Sequence, residues 1–235
     1  MPIFRRRASA PQMPAPAPAP TTAPATAAPH RSDARVPSAT TAEAATASAR
    51  RWAQSVITNA RVIYLDTETT GLDDMAEIIE IAIVDGSGRT LIDSFVRPNR
   101  AIPPDATRIH GITNADVAAA PMWGDLWPQV SELLAVHSVV VYNASFDYRM
   151  VCQMNRAVAL ASPPDDWQCA MLQYSNFAAV WHARFGNFRW HRLDDAAARF
   201  VSPAAAPSHR ALADAIACRA VVLGMAHSGP SATLR

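Results

Sequence analysis

The chain has 235 residues, half of them apolar, and a formal net charge of +1; it is long enough for one well-buried domain plus a tail. No stretch approaches the roughly 18 consecutive apolar residues of a membrane span, so no membrane role is expected. Charge is uneven: residues 1–60 carry seven Arg against two acids, and residues 61–235 carry fourteen Arg against eighteen acids. An acidic body excludes the broad basic face of a protein that grips long duplexes, and it suits a short nucleic-acid footprint or bound cations.

The chain opens on M-P-I-F-R-R-R and passes directly into alternating Pro and Ala, where a secretory signal would need an apolar segment. Export is not expected, and a cytoplasmic location is. Cys152, Cys169 and Cys218 are scattered without metal-ligand spacing, which fits reduced thiols in such a compartment. Nine of the nineteen prolines lie in the first forty residues, so residues 1–40 are expected to form a disordered arm rich in Pro, Ala and Arg. Proline then disappears, and Trp52, Val56 and Ile57 fall at helical spacing. Residues 41–60 are therefore predicted to be a helix docked on the domain.

Residues 61–226 carry the domain pattern, and residues 227–235 are a short tail. Val62 to Thr67, Glu77 to Asp85 and Thr90 to Val96 read as three strands with short links, hence an antiparallel meander. A Pro-broken segment through I-H-G-I-T follows, then an amphipathic helix around Leu126 to Val136. After it come an apolar strand at Val139 to Tyr142, a helix from Phe146 to Ala161 and a short strand at Trp167 to Met171. Helices over Leu193 to Phe200 and Ala211 to Met225 close the domain. Strands that are first antiparallel and then alternate with helices predict an α/β domain of the ribonuclease H-like plan, a mixed five-stranded sheet flanked by helices.

The chemistry sits at the ends of these elements. In V-I-Y-L-D-T-E-T-T-G-L, Asp66 and Glu68 are two apart and leave one face of a strand. Such a pair is either two solvated acids at a turn or two carboxylates whose repulsion a cation offsets. Asp147, in Y-N-A-S-F-D, falls in the first turn of a helix just beyond a buried strand, where the helix dipole also favours an acid. In P-S-H-R-A-L-A-D, His209 and Asp214 are five apart, a rotation of about 500° that no single helix face accommodates. With Ser208 as a candidate N-cap, His209 would occupy the loop-to-helix junction and Asp214 the helix itself. Carboxylates without a Cys cluster suit hard cations, Mg²⁺ or Mn²⁺. Two such ions could bind the attacking and leaving oxygens of a phosphodiester, and a histidine is a natural base for the attacking water.

Taken in order, L-D-T-E-T-T-G-L, I-H-G-I-T, Y-N-A-S-F-D and H-R-A-L-A-D resemble the motifs of the DEDDh superfamily of 3′–5′ exonucleases, which contains the proofreading subunit of bacterial replicases. The likeness covers about residues 60 to 225. It implies Asp66, Glu68, Asp147 and Asp214 as ligands of two ions and His209 as general base. It also implies Thr67, Thr69, Gly71 and Leu72 as the pocket for the terminal nucleotide, with Leu72 a wedge. His110, Gly111 and Ile112 would close over that nucleotide, and Asn143 and Phe146 would flank it. The chain ends soon after the helix of Asp214, so the polymerase-holding extension of the replicase subunit is not expected.

The substrate implied is single-stranded DNA or a frayed 3′ end, cut to nucleoside 5′-monophosphates. An exoribonuclease of the same fold is the alternative, and a non-catalytic nucleic-acid or replisome-binding module the second. Replication or repair proteins could engage the N-terminal arm, and nothing in the residues speaks to oligomeric state. Trp190, between Arg189 and Arg192, has two open readings, core packing or stacking on a base.

Overall fold

The computed structural model describes residues 36–201 and 209–229. Most of the expected arm, the end of the expected tail and Ser208 therefore lie outside the described residues. Five strands form one sheet: β1 (Val62–Thr69), β2 (Ile78–Asp85), β3 (Thr90–Phe95), β4 (Ser138–Val141) and β5 (Gln168–Cys169), in the order β3-β2-β1-β4-β5. β1, β2 and β3 are antiparallel neighbours, whereas β4 and β5 run parallel to β1. This is the mixed, helix-flanked sheet that the order of elements predicts.

Alternation along β1 divides the core. Val62 and Tyr64 face a cluster with Ala215, Cys218 and Val221, while Ile63 and Leu65 face another with Val130, Met150 and Val151. Every residue of β2 before Asp85 is buried, including Glu80, as a strand covered on both faces requires. The first face is covered by α1 (Ala39–Thr58), α6 (Ala170–Ala178) and α8 (Ala211–His227). The second is covered by α4 (Trp123–Val136) and α5 (Ala144–Ala157). α1 is capped by the Ser38 hydroxyl and buries Ala49, Ala53 and Val56. Its Trp52 indole donates to Gln168 Oε1 at 2.7 Å, tying the helix to β5.

Several boundaries differ from the sequence pattern. α5 ends at Ala157, where Val158 caps it and Ala159 turns to a positive φ of 56°. α6 begins directly after β5, over a stretch that pattern assigns partly to a strand; its N-cap, Cys169, makes no side-chain capping bond, so the usual start signal is missing. The Pro-broken segment contains α2 (Pro104–His110) and α3 (Asn114–Val117), the first started by Pro at N1 and the second by a Thr113–Asp116 capping box. α7 is a short helix, Leu193–Ala197, that stops before Phe200. β6 (Trp181–His182) and β7 (Asn187–Phe188) pair as a hairpin too short for any periodicity to reveal.

Candidate active site

The two faces of β1 meet at its carboxyl end, and the predicted acids converge there. Asp66 and Glu68 continue the Val62–Tyr64 face, toward α8. Asp147 arrives from the other side, in the first turn of α5, and is 4% exposed. Between them, Thr67 is the tether: its backbone N–H donates to Asp147 Oδ1 at 3.1 Å and its hydroxyl donates to the same oxygen at 2.7 Å. Asp214 stands in the first turn of α8. His209 lies two residues before that helix with φ of +50°, a left-handed backbone that is uncommon for a residue with a Cβ.

Arg210, rather than Ser208, is the N-cap of α8. Its side chain, not a capping hydroxyl, fixes the helix start. Arg210 Nε donates to Glu80 Oε1 and Oε2 at 3.0 and 3.2 Å, and its Nη2 to Oε1 at 2.6 Å. The Ala211 N–H donates to Glu80 Oε2 at 2.9 Å, and the guanidinium lies 5.2 Å from the Phe95 ring centroid. Glu80 is the antiparallel partner of Glu68, at the edge of a bulge in which Ile79 is the extra residue. Bulges of this kind re-aim side chains at strand ends. Neither Glu80 nor Arg210 stood out in the sequence, although an acid within an otherwise apolar strand, E-I-I-E-I-A-I, is the signal that could have found the first.

The acids hold their protons unusually tightly. Burial is the largest cause for all four, and mutual repulsion adds to it. Glu68 is pushed up to about 8 by burial and then by Asp214, Glu80 and Asp147, against the pull of Arg210. Asp214 is pushed up to about 7 by burial, Asp194 and Glu80. Asp147 also reaches about 7, because burial outweighs the two hydrogen bonds from Thr67. Asp66 is raised well above the carboxylate range by burial and by the charges of Asp147, Asp214, Glu68 and Glu80.

Glu68, His209 and Asp214 present ligand atoms within 4.8 Å of one another, the cluster of cation-binding groups found among the described residues. Asp214 Oδ1 is buried and has no hydrogen-bond partner among those residues. A buried, partnerless carboxylate oxygen inside a group of raised acids is what a divalent cation would satisfy, so this donor set fits a hard metal ion.

The remaining predicted residues are placed as follows. Thr69 is buried and donates its hydroxyl to the Gly71 carbonyl at 2.7 Å. Leu72 is 78% exposed just beyond β1, its carbonyl accepting from Arg149 Nη2 at 3.1 Å. Asn143 is the exposed N-cap residue of α5, and Phe146 lies 5.3 Å beneath the Arg149 guanidinium carbon. His110 is buried at the end of α2; its Nδ1 accepts from the Ile112 N–H at 3.0 Å, and burial lowers its proton affinity. Gly111 follows as the C-cap with φ of 75°, a left-handed conformation that favours glycine. Ile112 is buried with Ile79, Ile102, Ala106 and Val117, and Thr67 is buried with its hydroxyl committed to Asp147. Both side chains are occupied within the protein.

With this geometry in view, comparison with known proteins is direct. The exonuclease family RNase_T matches residues 63–222. An exonuclease of Escherichia phage 186, CP81, described as uncharacterized, is 36% identical over 173 residues, covering 71% of this chain and 89% of that protein. Exodeoxyribonuclease 10 of Escherichia coli K12 is 36% identical over 48% of this chain and 51% of its own length. In fold, the chain resembles the nuclease domain of 3′hExo, a DEDDh member bound to rAMP, with a TM-score of 0.55 and 17% identity over 74% of this chain and 94% of that one. A match from β1 into α8 takes in every acid of the cluster together with His209, and the chain belongs to the RNase_T exonuclease family, as an enzyme.

Proposed function

We propose that the protein is a divalent-metal-dependent 3′–5′ exonuclease that removes nucleoside 5′-monophosphates from single-stranded or frayed DNA ends. The observation that carries this reading is the convergence of Asp66, Glu68, Asp147 and Asp214, all with raised proton affinity, on a site that includes His209. Asp66, Glu68, Asp147 and Asp214 would hold two Mg²⁺ or Mn²⁺ ions. When bound, such ions supply charge neutralisation, acidify the attacking water and stabilise the departing 3′ oxygen.

The chain's own residues do the rest. His209, held in a left-handed backbone beside the anchored Arg210, takes the proton of the attacking water at an imidazole nitrogen. Thr67 keeps Asp147 oriented toward the site. Leu72, exposed just beyond β1, is suited to wedge against the last base, with Thr69 and Gly71 forming the floor behind it. His110, Asn143 and Phe146 border the same space, a role that their family positions suggest.

The test is digestion of 3′- and 5′-labelled single-stranded DNA and RNA with Mg²⁺, Mn²⁺ or EDTA. Expected are release of the 3′ label as mononucleotide, silence in EDTA and preference for DNA. Asp66→Ala and His209→Ala should each lower turnover by at least about 10²-fold, since each removes a group that acts directly in the reaction, while circular dichroism stays native. Activity that survives EDTA would sink the metal mechanism; preference for RNA would make the enzyme an exoribonuclease.

A further inference from the structure

A second surface carries chemistry that the acids do not use. The chain leaves the β6–β7 hairpin through Arg189-Trp190-His191-Arg192 before entering α7. Trp190 is 60% exposed, which excludes the core-packing reading of this residue. Its backbone, by contrast, is fastened from both sides. The Arg189 N–H donates to the Val180 carbonyl at 2.7 Å. The buried Ser175 hydroxyl donates to the Phe188 and Arg189 carbonyls at 3.0 and 2.9 Å. The Tyr142 hydroxyl donates to the His191 and Arg192 carbonyls at 3.1 and 3.2 Å. A large aromatic face is thus held out to solvent on a backbone that has little freedom left to lose on binding.

The surroundings are basic although the body of the protein is acidic. Arg189 and Arg192 flank the indole and are both exposed. Arg184 and the exposed Phe185 stack at the hairpin turn, 5.6 Å from guanidinium carbon to ring centroid. Arg192 pairs with Asp194 at 3.3 Å, while Arg184 and Arg189 form no ion pair among the described residues. The segment also adjoins the acid site. Tyr142, which holds it, is followed by Asn143 at the head of the helix that carries Asp147. The charge of Asp194, two residues past Arg192, adds to the burial that raises Asp214.

We propose that Trp190, with Arg189 and Arg192, is a docking platform for the single-stranded substrate: a base upstream of the terminal nucleotide stacks on the indole while neighbouring phosphates pair with the two guanidinium groups. Aromatic stacking plus flanking Arg is the chemistry that holds single strands without reading sequence. The platform rests on the exonuclease reading and extends it from the terminal nucleotide to the strand behind it. It also supplies, locally, the positive charge that the acidic body lacks.

The test is fluorescence anisotropy with 5′-labelled DNA and RNA strands of two and twelve nucleotides, in Ca²⁺, with strand integrity checked on gels. Wild type should favour the longer strand. Trp190→Ala should weaken binding of the twelve-nucleotide strand by about 5- to 150-fold, the range expected for one lost stack, and Trp190→Phe should stay within about threefold of wild type because a ring remains. Arg189→Ala should lower the slope of log Kd against log salt by about 0.7, one phosphate contact on a single strand. Wild-type affinity of Trp190→Ala for the long strand, or an unchanged salt slope in Arg189→Ala, would overturn the platform; the second readout decides if Trp190→Ala does not fold. Parallel digestion keeps the two readings separate. A wild type that hydrolyses no oligonucleotide overturns the exonuclease reading, whereas hydrolysis combined with indifferent Trp190 and Arg189 variants overturns the platform alone.

Discussion

Thr67 sits between Asp66 and Glu68 in β1, and alternation turns its side chain away from theirs. That opposition is what makes it useful. Asp147 approaches from the α5 side of the sheet, and the Thr67 N–H and hydroxyl hold its Oδ1. Thr67→Val keeps the shape and the backbone bond but removes the hydroxyl donor. Loss of such a supporting contact typically lowers metal affinity or activity by 10- to 100-fold, so calorimetric titration with Mn²⁺ should show about tenfold weaker binding with the melting temperature lowered by only a few degrees. Unchanged Mn²⁺ affinity would mean that Asp147 does not depend on this tether.

At the scale of the element, the start of α8 decides where both His209 and Asp214 lie. No hydroxyl caps it; the buried Glu80 takes over by accepting from Arg210 and the Ala211 N–H. Glu80 is buried, and the Arg210 side chain is 45% exposed, so water screens part of the pair. Arg210→Ala leaves a buried carboxylate with a single backbone donor, a loss expected to cost about 1 to 3 kcal/mol. Glu80→Gln in the Arg210→Ala background should recover part of that loss, since it removes the uncompensated charge. Chemical denaturation of both variants measures it; an Arg210→Ala protein as stable as wild type would show that the pair does not anchor the helix. Arg210→Ala should also lower turnover, through a displaced His209, even at temperatures where the protein stays folded.

For the whole molecule, four acids with raised proton affinity make stability depend on pH and metal together. A carboxyl whose folded value lies above its unfolded value near 4 contributes fully below that unfolded value, and the contribution is lost as pH rises through the folded one. For Asp147 and Asp214 that point is about 7, and for Glu68 about 8. His110 and His191, lowered from 6.5 mainly by burial, act in the opposite sense but only at pH below 6.5. Between pH 6.5 and 8, therefore, the melting temperature of metal-free protein should fall. Mn²⁺ at about 100 times its Kd should restore about 2.7 kcal/mol, with a larger thermal shift at pH 8 than at pH 6 because the ligands must be deprotonated. A melting temperature in EDTA that rises across this window would contradict the clustered-acid description.

The five residues with the strongest chemical signal, Asp66, Glu68, Asp147, His209 and Asp214, were legible because strand alternation and helix starts are local properties that leave their mark in residue spacing. The mixed five-stranded sheet with its antiparallel start was legible for the same reason: apolar runs and turn residues succeed one another in the chain. What the sequence by itself determined is the main strands and helices of the sheet and which acids stand at their ends. Only the tertiary structure decided what depends on residues far apart in sequence. Glu80 could not be paired with Arg210 across 130 positions, nor Thr67 with Asp147 across 80, because such contacts follow from strand register and helix placement rather than from spacing. Ile112 could not be told from a pocket residue until a bulge at Ile79 placed both in one apolar cluster. Trp190 is the clearest case. Whether an indole is buried or offered to solvent depends on what packs against it, and only the folded chain shows Trp190 exposed, with the hydroxyls of Ser175 and Tyr142 holding the backbone on either side of it.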